Sequence, residues 1–231
     1  MTPKPRRRTG RPEGLRERRR RETHRLLASA ALRLVVERGL DGVTVEDISG
    51  AVGVSSRTFF NYFATKEDAL VLPYPDRAER SALVAEAVVA APEGLTPLDA
   101  VARAWRPEME RVDADRDEWL ARLSVLAEHP SLVSRMIAME AGGERRVVEA
   151  IALRTGLGAD DPYPALLYYV ADGALRACLR RWQRLGGAQS LVELMDHAVR
   201  VVAVGLPVPP LPVRKRRGTG AEGDSARVKE G

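Results

Sequence analysis

The sequence predicts an all-α protein in two parts, an N-terminal three-helix helix-turn-helix unit followed by a larger helical unit. Three observations predict this. Apolar residues recur at spacings of three and four through most of the chain, and no alternating run of strand length occurs. The 231 residues suit one or two domains at roughly 100–200 residues each. Residues 44–63 read TVEDISGAVGVSSRTFFNYF, two short helical patterns about Gly53, with all three phenylalanines of the chain in the last five positions.

The first helix starts near Arg16 and ends at Gly39, its packing face carrying Leu26, Leu27, Ala30, Ala31, Leu34 and Val35. Thr44, with Asp47 three residues on, reads as the cap of a second helix through Val45, Ile48, Ala51 and Val52. Gly53 ends that helix, and Ser55 caps a third that runs to about Phe63. A further short helix opens at Ala64-Thr65-Lys66-Glu67 and stops at Pro73 and Pro75. The rest reads as helices near 76–91, 97–112, 116–128, 131–155, 163–186 and 188–205.

On a 100° wheel Phe59 and Phe63 share one face of the third helix, to pack with Val54, Ile48 and Leu34. Arg57, Thr58, Asn61 and Tyr62 fall on the other surface, with Phe60 at its border. Such a division suits a recognition helix, anchored by one stripe while polar side chains meet base edges and phosphates.

Charge is concentrated at the ends. Residues 1–25 carry +8 and residues 213–231 carry +3, so the total of +5 leaves −6 for residues 26–212. A basic arm beside a mildly acidic body suits a polyanion partner, although a solvated tail gives the same composition. No run of 18 apolar residues and no signal-peptide pattern occurs, and the lone Cys178 allows no internal disulfide, so a cytoplasmic protein with no membrane association is expected. His24, His129 and His197 stand far apart, and no HExxH, P-loop or GxGxxG is present. Neither an enzyme nor a metal or cofactor site is expected.

The run TVEDISGAVGVSSRTFFNYFATKEDAL resembles the DNA-binding segment of TetR-type transcriptional regulators, over about residues 22–70. The resemblance implies that the third helix enters the major groove of a double-stranded operator. Ser56, Arg57, Thr58 and Asn61 would then face bases, while Phe60, Tyr62, Lys66 and Thr44 touch or brace phosphates, with Ser55 at the helix start. Members often have Tyr where this chain has Phe60, which lacks the hydroxyl and is left with apolar contact or a half-buried place. The arm RRRTGRPEGLRERRRR is similar to minor-groove arms, and Thr9-Gly10-Arg11-Pro12 to an AT-hook core, with Arg11 its candidate contact.

For the second unit the resemblance implies effector binding and a homodimer. The last two helices would pair, through Leu166, Val170, Gly173, Ala174 and Ala177, then Leu191, Leu194, Met195, Ala198 and Val202. Trp105, Met109, Trp119, Leu123, Met136, Met139, Tyr168 and Tyr169 are candidates for a small-molecule pocket, or for plain core. The segment ACLRRWQRLGGAQSLVELMDHAVRVVAVGL is similar to mycofactocin-system regulators, a TetR branch for which the resemblance implies acyl-coenzyme A ligands. Arg145, Arg146, Arg180 and Arg181 would be candidates for its phosphates, or solvated helix charge.

The expectation is thus a ligand-responsive homodimeric repressor. Residues 1–15 form a flexible basic arm, 16–72 the DNA-binding unit, 73–206 the effector and dimerisation unit, and 207–231 a disordered Pro-rich tail. The alternative is an architectural DNA-binding protein without an effector.

Overall fold

The computed structural model describes residues 14–158 and 160–206. Among the described residues all regular structure is helical, in ten helices. None is long and apolar enough to cross a membrane.

Helix α1 (Leu15–Arg38) ends at Gly39, whose φ of 75° suits a residue without Cβ. Its buried face runs through His24, Leu27, Ala31, Leu34 and Val35. Leu26, expected on that face, is 52 % exposed, because it lies at the edge of the stripe. Helix α2 (Val45–Val52) opens on a full capping box: Thr44 Oγ1 accepts from the Asp47 N–H at 3.1 Å, and the Asp47 carboxylate accepts from the Thr44 N–H at 2.9 Å. Gly53 closes it in the left-handed conformation at φ 75°, ψ 31°.

Helix α3 spans only Ser56–Phe60, shorter than the pattern to Phe63 suggests. After Phe60 the chain tightens: the Asn61 N–H donates to Thr58 O and the Tyr62 N–H to Phe59 O, both three residues back. Phe63 still returns to the core, as Phe59 does, and the two rings lie 5.5 Å apart. With Ile48, Leu34 and Val43 they form the core of the head. Helix α4 (Lys66–Val71) has a second capping box, from Thr65 and Asp68.

The body comprises α5 (Arg77–Ala90), α6 (Pro97–Ala114), α7 (Arg116–Glu128), α8 (Pro130–Thr155), α9 (Pro162–Arg184) and α10 (Leu191–Ala203). Its core gathers Val88, Val101, Met109, Ile151, Ala171, Trp182 and Met195. Asp113 on α6 orders the last two helices: it accepts from Trp182 Nε1 at 3.0 Å, Ser190 Oγ at 2.8 Å and the Leu191 N–H at 2.9 Å. The α10 face expected at a dimer contact is divided. Leu191, Leu194 and Met195 are buried in the chain's own core, because the α10 stripe packs on α6 and α9. On α9, Leu166, Val170, Gly173 and Ala177 remain exposed along one side.

Head and body share a seam. Val125 and Leu126 of α7 and Leu132 of α8 are buried in the head's core, not the body's. Arg122, 2 % exposed on α7, donates to the Leu70 carbonyl at the end of α4 and pairs with Glu118 at 2.7 Å. Glu118 also accepts from Ser29 Oγ of α1 at 2.9 Å. In the link between α4 and α5, Tyr74 donates to Asp115 at 2.6 Å and accepts from Trp119 Nε1 at 3.0 Å.

Candidate nucleic-acid interface and effector cavities

The surface of the head follows from how its short helices are capped and anchored. Ser55 Oγ accepts from the Thr58 N–H at 3.2 Å and lies 2.9 Å from Thr58 Oγ1, which starts α3 sharply after the Gly53 turn. Ser56 Oγ donates to Glu46 Oε1 at 3.4 Å, tying α3 to α2. With Phe59 and Phe63 held inside, Ser55, Arg57, Phe60 and Asn61 are exposed, and Thr44 is exposed at the start of α2. Ser56 and Thr58 are half-buried.

Three residues have more particular settings. Phe60 is 56 % exposed and meets Phe59 edge-on, so its outer face is free. Tyr62 is half-buried, its ring edge-on to His24 at 6.2 Å. Lys66 Nζ donates to Leu40 O at 2.7 Å and to Val43 O at 2.8 Å. Two of the three ammonium donors therefore hold the loop between α1 and α2. Arg11 lies outside the described residues, as do both basic ends.

Two cavities of the body, each about 230 Å³, share Arg77, Arg80, Glu108, Met109, Glu140 and Leu175. Trp105 and Tyr168 line the first, and Trp119 and Met136 the second. Five of the eight pocket candidates thus face these cavities. Met139 instead lines a space at the joint of head and body, Leu123 packs between the two cores, and Tyr169 is exposed, donating to Glu144 at 2.6 Å. Burial pushes the Glu108 and Glu140 carboxyls up, against the pull of Arg80 and Arg77 respectively. Each cavity therefore joins an apolar wall to a charged one, with Arg77, Arg80, Glu108 and Glu140 common to both.

The joint cavity, about 480 Å³, lies between α1, the turn after α3, the Tyr74 link, α5 and α8. His24 borders it, 6 % exposed, with its Nδ1 lacking a hydrogen-bond partner. Burial and the neighbouring Arg20 push its pKa down to about 4. Sequence reasoning missed this group, although His24 stands three residues before Leu27 on the apolar stripe of α1. Of the four arginines considered for phosphate contact, Arg146 reaches this cavity. Arg181 borders a groove between α9 and α10, and Arg145 and Arg180 are exposed. Cys178 is buried, which pushes its thiol up and away from reactivity.

These features agree with what the chain is similar to. The family model for bacterial regulatory proteins of the tetR family matches residues 27–71, and that for the MftR C-terminal domain matches residues 95–207. The HTH-type transcriptional regulator TcmR of Streptomyces glaucescens is 32 % identical over 178 residues, covering 73 % of this chain and 76 % of that protein. The putative mycofactocin biosynthesis transcriptional regulator MftR of Mycobacterium tuberculosis is 25 % identical over 189 residues, covering 82 % and 93 %. Among solved structures, FadR of Bacillus subtilis in complex with stearoyl-CoA superposes with a TM-score of 0.56 at 16 % identity, over 79 % of this chain and 98 % of that one. The capped reading head, the second helical unit and these likenesses together establish that the chain belongs to the TetR family of transcriptional regulators, in the branch whose C-terminal domain is that of MftR.

Proposed function

We propose that the protein is a cytoplasmic homodimeric repressor that occupies a palindromic operator and leaves it when a small ligand with an apolar tail, an acyl-coenzyme A thioester, fills the body. The observation that carries the reading is the division of α3: Phe59 and Phe63 are buried while Arg57, Phe60 and Asn61 are exposed beside them. Ser56, Arg57, Thr58 and Asn61 read bases in this proposal, while Ser55, Thr44, Phe60 and Tyr62 meet the backbone. Lys66 acts by holding the loop that carries Thr44, and Arg11 by minor-groove contact.

Residues 16–72 serve as the DNA-binding unit and 73–206 as the effector and dimerisation unit. Dimerisation is supported by the exposed small and apolar stripe of α9, which a second copy would cover. The apolar walls that Trp105, Met109, Trp119 and Tyr168 give the two body cavities support an acyl ligand, as does the fold shared with a protein solved with stearoyl-CoA.

Footprinting on DNA flanking the gene tests the reading. The expected result is protection of one discrete palindrome, lifted by long-chain acyl-coenzyme A. Uniform coating without a discrete site would instead mark an architectural DNA-binding protein.

A further inference from the structure

The joint cavity differs in chemistry from the cavities below it. Arg20 of α1, Arg77 of α5 and Arg146 of α8 border it together with His24, and no Asp or Glu is among its lining residues. The first body cavity, by contrast, is bordered by Glu108, Glu140, Glu144 and Asp172. Among the described residues, Arg20 and Arg77 make no hydrogen bond or ion pair, although Glu140 attracts Arg77 from the body side. Arg146 is held by one bond, Nη1 donating to Ala78 O at 3.0 Å, which leaves most of its guanidinium free. Three arginines on one cavity whose lining holds no carboxylate, with Glu140 near Arg77 and Asp76 near His24 the closest acids named, suit phosphate oxygens.

The space is also a joint. Arg20, His24, Asn61 and Tyr62 belong to the head, while Arg77 and Arg146 belong to the body. A group that bridges them fixes one part against the other. The joint cavity and the first body cavity share Arg77, Ser81 and Gly143, so the two spaces meet along α5 and α8.

We propose that this cavity binds an oligophosphate group, and that the bound group ties α1 and the turn after α3 to α5 and α8. The effector reading above is what the proposal rests on for one point only, that a ligand tail continues into the body. Bound negative charge beside Asn61 and Arg20 opposes a second polyanion at the head, so the anion lowers affinity for DNA.

The test is calorimetric titration of the full chain with inorganic pyrophosphate and with ADP, without DNA. Binding is expected at one site per chain, weakened about tenfold or more by Arg77→Gln and by Arg146→Gln, each of which removes a charged donor. Arg103→Gln, exposed on α6, leaves it unchanged. Should Arg77→Gln fail to fold, Arg20→Gln keeps the test, because that exposed side chain supports nothing in the head. Octanoyl-coenzyme A separates the sources: tighter binding than ADP assigns the site to the phosphate end of a tailed effector, and equal binding assigns it to a free nucleotide. Wild-type binding of pyrophosphate in all three variants overturns the proposal, as does no binding at about 10 mM. Either failure leaves the palindrome footprint untouched, so the two readings fail separately.

Discussion

Asp68 of α4 accepts a hydrogen bond from Arg135 of α8 across 2.6 Å, with the carboxylate almost wholly buried. The same carboxylate caps its own helix through the Thr65 N–H. One side chain therefore sets both the start of α4 and its attachment to the body. Burial pushes its pKa up, but the Arg135 guanidinium and the Thr65 hydrogen bonds outweigh that and hold it below the usual carboxylate value. A depressed pKa means stability that is present above the unfolded value and lost as pH falls through the folded one. Asp68→Asn should cost about 2 kcal/mol at pH 7 by urea denaturation, and the gap from wild type should close below about pH 4. A gap that stayed constant with pH would show that the ionised pair is not its source.

His24 acts in a separate window. Its folded pKa of about 4 lies below the unfolded 6.5. The unfolded chain binds the extra proton first, so stability falls as pH drops from 6.5 toward 4. The fall should be no more than about 3 kcal/mol, and His24→Leu should flatten it. Urea midpoints at pH 7.5 and pH 5 measure both.

Lys66 separates a brace from a phosphate contact. Lys66→Met leaves Leu40 O and Val43 O without their donor, at a cost of about 1–3 kcal/mol. Its operator affinity should fall for all sequences alike while the salt slope stays as in wild type. A slope reduced by about one would mean a direct phosphate contact instead. Arg57→Ala, on the exposed side of α3, should lose affinity at particular base pairs only.

The two adjacent phenylalanines should part company. Phe59→Ala should destabilise by about 3–5 kcal/mol, since it empties a fully buried site. Phe60→Ala should shift stability by no more than about 0.5 kcal/mol yet weaken operator binding. Thermal melts beside mobility shifts decide this, and a Phe60→Ala variant with unaltered operator affinity would remove Phe60 from the interface.

Gly173 offers a test of the proposed dimer. A Cβ built there meets no atom within 4 Å in the protomer. Gly173→Leu should therefore fold normally but shift sedimentation toward monomer, because only a second copy stands to object.

The sequence made the helices legible wherever local chemistry alone decides them. Thr44 with Asp47, Gly53 and the Phe59/Phe63 spacing each signal their role within four residues, and each stands as expected. Contacts made across the chain were not legible. Nothing near Lys66 points to carbonyls 23 and 26 residues earlier, and nothing near Asp113 shows that it caps α10 some 78 residues on. The α10 stripe shows the same limit: periodicity identifies an apolar face without saying which neighbour covers it, so Leu191 and Met195 were assignable to a second copy as readily as to their own core. The joint cavity was hidden for a related reason. Arg20, Arg77 and Arg146 are ordinary helix charges until folding brings three distant turns together.

Because Val125, Leu126 and Leu132 close the core of the head, the reading unit is not a detachable module. A fragment cut after residue 72 would open that core to water, and grafting these four helices onto a foreign sensor would fail unless the facing turns of α7 and α8 travelled with them. Recombination between relatives of this chain should therefore succeed at crossovers beyond α8 sooner than at the proline link.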